Sequence, residues 1–278
     1  MTTPSKIFSS YWPTRICMFA ALLFLKLNLR AQILNIDSEL QDSLTKKRYM
    51  LLSGSFSHDK QKRSVNDAEC YIEVLQKSKN RYAGVFVGQL NTVLSGKEII
   101  QNEGFFQLRY RDLDTRKTSI ESYVQYQWNG LWGMQERKLA GMNVRQKVLD
   151  KKSGDFYVGL GGFYEIETWN YKGVEDTSKY RQGSPPVQLN RMRANSYVKG
   201  AKKLFKNCDI IAESFIQANA FSLANNPSIR WFLLGRINYN VSEKVQLSFN
   251  YDHIYNQSPP VPVKKLYAGY AFRFNVKM

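Results

Sequence analysis

Val245-Gln246-Leu247-Ser248-Phe249-Asn250-Tyr251-Asp252 sets Val, Leu, Phe and Tyr on one side and Gln, Ser, Asn and Asp on the other. A period of two with one apolar and one polar face is the pattern of a half-buried β-strand. The pattern recurs down the chain. Trp231, Leu233, Ile237, Tyr239 and Val241 oppose Arg236, Asn238 and Asn240, and Ala268, Tyr270, Phe272, Phe274 and Val276 oppose Gly269, Ala271, Arg273 and Asn275. Phe106, Leu108 and Tyr110 oppose Gln107, Arg109 and Arg111; Ile120, Val124, Tyr126 and Trp128 oppose Glu121, Tyr123, Gln125 and Gln127. Val158, Leu160, Tyr164 and Ile166 oppose Tyr157, Glu165 and Glu167; Met192, Ala194 and Val198 oppose Arg191, Arg193, Asn195 and Lys199.

Twelve strands are predicted, over 48–58, 66–76, 81–94, 98–112, 117–129, 134–149, 155–170, 188–202, 207–221, 228–242, 244–256 and 263–277. Strands of soluble proteins usually have about five or six residues, whereas a tilted membrane strand needs about 9–11. The lengths therefore favour an antiparallel transmembrane β-barrel over a soluble sandwich or lipocalin-like barrel. A soluble barrel would also point its apolar face inward. Here the polar face is rich in both charge signs, and the apolar face carries aromatic residues near strand ends, a combination found in outer-membrane barrels.

The connections sort into two classes. After even strands they are mostly short, as at Ser78-Lys79-Asn80, Lys151-Lys152-Ser153-Gly154, Phe205-Lys206 and Ser242-Glu243. The longest ones, Asp59 to Val65, Asn170 to Gln188 and Gln257 to Pro262, follow odd strands. Short periplasmic turns and long outer loops give this asymmetry, and an even strand count leaves both termini in the periplasm.

Lys6 and Arg15 precede an apolar run from Ile16 to Leu25, and Leu29-Arg30-Ala31-Gln32 follows. A basic start, a short apolar middle and a small residue at the cut read as a signal peptide over residues 1–31, cleaved after Ala31. The apolar run is half the length of the roughly 20 residues a spanning helix needs. Residues 32–47 are then a periplasmic segment, and 48–278 the barrel, in the outer membrane of a Gram-negative bacterium. A membrane protein without spanning helices must close its strands, because every backbone amide in lipid needs a partner.

The formal charge of the chain is +17. Many lysines fall in pairs at predicted turns, as at Lys46-Lys47, Lys151-Lys152, Lys202-Lys203 and Lys264-Lys265. No basic helix gathers them, so they read as solvated turns and lipopolysaccharide contacts, with no nucleic-acid partner. The 17 Tyr and 16 Phe suit a lipid–water interface, where an apolar ring with a polar tip is at home. The expected partners are outer-membrane lipids, lipopolysaccharide and the barrel assembly machinery.

Several segments carry a family resemblance: Ile33-Leu34-Asn35-Ile36-Asp37, Asn102-Glu103-Gly104-Phe105-Phe106-Gln107-Leu108-Arg109-Tyr110-Arg111, Tyr123-Val124-Gln125-Tyr126-Gln127, Arg137-Lys138-Leu139-Ala140-Gly141-Met142-Asn143-Val144-Arg145, and Tyr157-Val158-Gly159-Leu160-Gly161 ahead of Tyr164-Glu165-Ile166-Glu167. Over most of the mature chain the sequence resembles the domain-of-unknown-function 481 family, described as salt-stress-induced or porin-like outer-membrane proteins. The resemblance implies an outer-membrane barrel and supplies no catalytic residues.

Signs of chemistry are few, and the chain is not expected to be an enzyme. His58 and His253 are the only histidines. A rim Ser–His pair of a lipid hydrolase would need a serine beside His253, but Ser228 falls on the opposite face. Cys17, Cys70 and Cys208 lack the companions of a zinc site, and the spacing gives no reason to pair the last two. Gly159-Leu160-Gly161-Gly162 lies inside a strand and is no phosphate loop; small residues there relieve crowding or bend the strand. The loop around Glu175 and Asp176 has too few acids for a calcium cage. No metal or cofactor is expected.

The lumen is the candidate site. Parity places Arg109, Arg111, Arg145, Arg191, Arg193, Arg236 and Arg273 inside, with Glu121, Glu165, Glu167, Glu213 and Asp252. Opposite charges either pair across the interior and plug it or line a narrow wet pathway. Porin-like passage of small solutes or ions is the leading expectation. The alternative is a non-conducting structural or surface-binding barrel, and a lipid hydrolase is the weak third. The excess of two arginines over acids in this set predicts mild anion selectivity if the lumen conducts. An arginine introduced at Ser248 or Asn250, on the polar face, is expected to be tolerated, and one at Leu247 or Phe249 is not.

Overall fold

The alternating segments fold as twelve antiparallel strands in the computed structural model, which describes residues 48–60, 64–78, 82–112, 117–151, 154–175, 184–219 and 228–277. The leader, its cleavage site and the 32–47 segment lie outside the described residues. The strands are β1 Arg48–Lys60, β2 Ser64–Ser78, β3 Tyr82–Ser95, β4 Glu98–Asp112, β5 Thr118–Asn129 and β6 Met134–Lys151. They continue as β7 Gly154–Trp169, β8 Val187–Phe205, β9 Cys208–Asn219, β10 Ile229–Asn240, β11 Val245–Asn256 and β12 Leu266–Lys277. Each pairs with its neighbours in sequence, and β1 meets β12 to close the barrel. β8 runs past its predicted end, through a register shift between Lys203 and Phe205.

The apolar faces point outward. Leu108, Val124, Met142, Val144, Leu160, Ile216, Leu247 and Phe272 are all exposed, so the surface carries a continuous apolar band. Such a band on a water-soluble protein would drive association; in a bilayer it is the buried face. Aromatic rings border it on both sides. Tyr82 stacks on Tyr110 with centroids 5.5 Å apart at the end that carries the chain termini. At the opposite end Trp128 packs 5.9 Å from Phe106 and 5.7 Å from Tyr126, and Trp231 lies 5.3 Å from His253. Tyr and Trp at both edges of an apolar band form the aromatic belts of a membrane protein.

The connections at the terminal end are short: residues 79–81, 113–117, 152–153, 206–207 and 241–244 join successive strands there. The other end carries the long connections 170–186, 220–228 and 257–265. Two short 3-10 turns fix part of that end. Gly130–Trp132 is capped by Asn129, whose side chain accepts from the Trp132 amide at 3.1 Å. Tyr171–Gly173 is capped by Asn170, whose side chain accepts from the Lys172 amide at 3.0 Å. Gly133 follows the first turn at φ 75°, a left-handed conformation that favours glycine, and its carbonyl accepts from the Asn170 amide at 2.7 Å. Asparagine and glycine thus hold the two turns side by side.

The inner face is packed more tightly than a polar lumen predicts. Tyr123, Leu139, Phe163, Tyr197, Phe215, Phe232 and Ile254 form one buried apolar cluster contributed by seven consecutive strands, β5 to β11. A second cluster of Leu51, Tyr71, Leu75, Ala83, Val85, Val87 and Phe105 fills the side built by β1 to β4. Glycine makes room for the rings: a Cβ at Gly159 would overlap the ring of Tyr197. The expectation that the glycine cluster of β7 relieves crowding is met at this position.

The inner packing also corrects the expected tolerance of Ser248 and Asn250 to arginine. Ser248 is 5% exposed, and its hydroxyl accepts from Asn275 Nδ2 at 2.6 Å. Asn250 Oδ1 accepts from Arg236 Nε at 2.7 Å. Both point inward as parity requires; Ser248 sits in filled space rather than in an open channel, and Asn250 is half-buried against Arg236.

Candidate functional site: the lumen

The inward charges gather into three groups. Nearest the terminal end, Glu121 on β5 collects partners from three other strands. Arg111 Nη2 lies 2.6 Å and Arg145 Nη1 3.1 Å from Glu121 Oε1. The Tyr197 hydroxyl donates to Glu121 Oε2 at 2.7 Å from β8, across the interior. The Arg145 guanidinium also sits 3.7 Å from the centroid of the Tyr157 ring. Lys199 and Glu213, cross-strand neighbours on β8 and β9, pair at 2.7 Å. Arg109 lies 5.6 Å over the Tyr123 ring.

The second group lies toward the long-loop end and is the densest. Glu165 on β7 is fully buried and accepts from three arginines. Arg137 Nη2 donates at 2.7 Å from β6, Arg230 Nη1 at 3.1 Å from β10, and Arg193 Nε donates from β8. Glu167 accepts from Arg230 Nη2 at 2.8 Å. Arg193 is 0% exposed and also donates to the Ser228 carbonyl at 3.0 Å. Two carboxylates and three guanidiniums thus span four strands. Charges buried this deeply persist only when opposite charges compensate them, as the two carboxylates and three guanidiniums do here.

The apolar cluster from β5 to β11 separates these two groups. Along β8 the order is Arg193, Tyr197, Lys199, and along β6 it is Arg137, Leu139, Arg145, so the ring layer falls between charged layers. Beyond the Glu165 group a cap covers the mouth. Met134, Trp169, Val174, Val261 and Val263 form a buried cluster, with Trp132, Tyr171 and Val187 packed against it. Val261 and Val263 belong to the β11–β12 connection, which therefore folds over the opening. Trp132 meets Tyr267 with centroids 4.5 Å apart. Between cap and charge layer remains a cavity of about 40 Å³, bordered by Arg137, Glu167 and Arg230 on one side and Trp132, Trp169 and Tyr267 on the other. That is room for no more than a few waters.

The third group stands beside β1 and β12. Arg273 Nη2 lies 3.4 Å from Glu69 Oε1 and 3.4 Å from Gln89 Oε1, and its guanidinium covers the Tyr71 ring at 5.0 Å. Arg236 donates to Asn250, and Asp252 is half-buried one inward position beyond Asn250 on β11.

All twelve lumen residues read from the sequence thus point inward. Arg109, Arg111, Glu121, Arg145, Glu165, Glu167, Arg193 and Glu213 are buried, while Arg191, Arg236, Asp252 and Arg273 are half-buried. The structure brings Arg111, Glu121 and Arg145 together, and separately Glu165, Glu167 and Arg193. Arg137 and Arg230, which complete the second cluster, are absent from the sequence-derived set. Arg230 shares parity with Arg236 and falls inside the predicted strand 228–242, so following the inward alternation back along β10 finds it. Arg137 lies next to a register shift between Met134 and Glu136, where Glu136 and Lys138 make the outward face polar too.

No family model matches the chain, and neither does any curated protein. Solved structures do resemble it. The NanC porin is 12% identical, with a TM-score of 0.43 and coverage of 82% of this chain and 97% of that one. A bacterial polysaccharide outer membrane secretin is 8% identical, with a TM-score of 0.45 and coverage of 83% and 97%. The translocator domain of the autotransporter NalP from Neisseria meningitidis is 9% identical, with a TM-score of 0.45 and coverage of 95% and 96%. The likeness is one of barrel architecture and assigns no role to any residue.

Among the described residues no serine hydrogen-bonds to His253. Its ring faces outward, between Trp231 and the Tyr251 hydroxyl, 3.4 Å from Nδ1. Ser228 is buried on the inner face. Cys70 and Cys208 are both free thiols.

Proposed function

We propose that this chain is a bacterial outer-membrane barrel whose lumen is closed to ions and solutes at rest. The observation that carries the reading is the buried Glu165 layer, held by Arg137, Arg193 and Arg230 beneath an apolar cap. A desolvated ion-pair layer under a hydrophobic lid offers no continuous water path. Passage of small solutes then requires the 257–265 connection to lift and the arginines to part from Glu165. The resting barrel is a closed porin-like wall rather than an open porin. The long connections face the outside of the cell and the termini the periplasm. The resemblance to the domain-of-unknown-function 481 family belongs to the same proposal.

Location is the first test. Cell fractionation is expected to recover the protein with the outer membrane, and its gel migration is expected to shift on heating as the barrel unfolds. Recovery as a soluble periplasmic protein, migrating alike before and after heating, would end this reading.

A further inference from the structure

β1 and β12 close the barrel over a much shorter length than their own other pairings. Their register runs through Leu51–Lys277 and Leu52–Val276. By contrast, β1 pairs with β2 from Arg48 to Lys60, and β12 with β11 from Leu266 to Val276. The Ser53 hydroxyl also ties the seam, donating to the Phe274 carbonyl at 3.2 Å. If the ladder continued, Ser55 would face Arg273 and Ser57 would face Ala271. Among the described residues no such pairs form, so the wall parts from Ser55 to Lys60 on one side and from Leu266 to Arg273 on the other.

Both sides of this parting are built differently from the rest of the barrel. Ser55 and Ser57 share the inward parity of Leu51, yet both are exposed, while inward Gln107, Gln125 and Gln217 on other strands are buried. On β12 the inward position opposite Ser57 is Ala271 and the one opposite Asp59 is Gly269, both small. Behind the gap, Arg273 reaches past β1 to Glu69 on β2 and Gln89 on β3. This side chain ties β12 to the opposite edge where the backbone does not. In front of the gap stand Phe56, 72% exposed, with Phe272 and Phe274.

Backbone amides left unpaired in hydrocarbon are costly. The slit is tolerable because the hydroxyls of Ser55 and Ser57 stand at its edge on the inward side. Its outer rim is apolar and continuous with the lipid-facing band, and Ala271 and Gly269 keep the β12 edge small. We propose that the β1–β12 seam is a lateral opening between lumen and bilayer that admits the acyl chain of a membrane lipid, with Arg273–Glu69 as its latch. The proposal rests on the reading that the barrel spans a bilayer.

The test uses the full mature chain with Cys70→Ser and Cys208→Ser, labelled with a fluorophore at one introduced cysteine. The protein is folded into phosphatidylcholine vesicles whose acyl chains are brominated and therefore quench on contact. Leu247→Cys reports the lipid-facing wall, Ser119→Cys an inward position away from the seam, and Ser57→Cys the seam interior. The label at Ser57 is expected to lose as large a share of its emission as that at Leu247, while that at Ser119 keeps its emission. Glu69→Gln, which removes the latch, should deepen the loss at Ser57. Should Ser57→Cys fail to fold, Ser55→Cys reads the same space. Quenching at Leu247 with none at Ser57 beyond that at Ser119 would overturn the lateral opening alone. Absence of quenching at Leu247 would overturn the bilayer reading and the opening with it.

Discussion

Replacing Glu165 with Gln is expected to destabilise the barrel by about 3–5 kcal/mol, because it leaves buried guanidiniums without their shared carboxylate. Arg137, Arg193 and Arg230 all donate to this one side chain, and Arg193 has no exposed surface through which water could replace it. Arg193→Gln leaves two arginines on Glu165 and should cost less. Combining both changes should cost less than their sum, since each removes the partner the other depends on. Urea titration of the barrel folded in vesicles, followed by tryptophan emission, measures all three. A Glu165→Gln barrel as stable as the parent would mean that the layer is solvated and the lumen is an open path. The same geometry revises the expected anion selectivity. Replacing Arg191 and Arg193 together by Gln should lower stability without setting a reversal potential, because Arg193 is already committed to Glu165.

Leu247→Arg and Phe249→Arg should each impair insertion, by about 2–4 kcal/mol where the position lies near the bilayer midplane. Both side chains sit on the outer face of β11, and Phe249 packs 4.9 Å from Phe272 between ring centroids. Ser248→Arg should also be unfavourable, by about 1–3 kcal/mol, but as overpacking of the inner face. Asn250→Arg would set a second guanidinium beside Arg236. Lipid thickness separates the two mechanisms: the cost at Leu247 should fall in vesicles of shorter acyl chains, which bring the interface nearer, while the cost at Ser248 should not. Folding yield and urea midpoint in both lipids give the comparison. A cost at Ser248 that tracks lipid thickness would reverse the facing of β11.

Strand number, pairing order and facing were legible because lipid and lumen impose opposite demands on adjacent residues. β11 is the clearest case, with Leu247 and Phe249 facing out and Ser248 and Asn250 facing in. The filling of the lumen was not legible. Tyr123, Phe163, Phe215 and Phe232 occupy inward parity, but a period-two reading says only which side a ring takes, not whether rings from different strands meet there. Cross-lumen pairs such as Tyr197 with Glu121 join residues on β8 and β5, a separation that no local pattern encodes. Arg137 escaped detection because the register shift beside it and the polar pair Glu136 and Lys138, joined at 2.8 Å, hide the alternation. The seam was equally hidden: β12 alternates as cleanly as β11, and only its pairing with β1 is short. The cap was hidden for a different reason. Val261 and Val263 lie in a proline-rich connection that reads as an exposed loop, and only the fold sets them against Trp169 and Met134.

The current through a single barrel in a planar lipid bilayer tests the closed lumen most directly. The folded barrel, inserted and held at low voltage in symmetric salt, is expected to carry no steady conductance. Shortening the 257–265 connection so that Val261 and Val263 are lost should, together with Glu165→Gln, produce discrete open events from the same preparation. A steady, ohmic conductance step at each insertion of the unaltered protein would contradict the closed lumen.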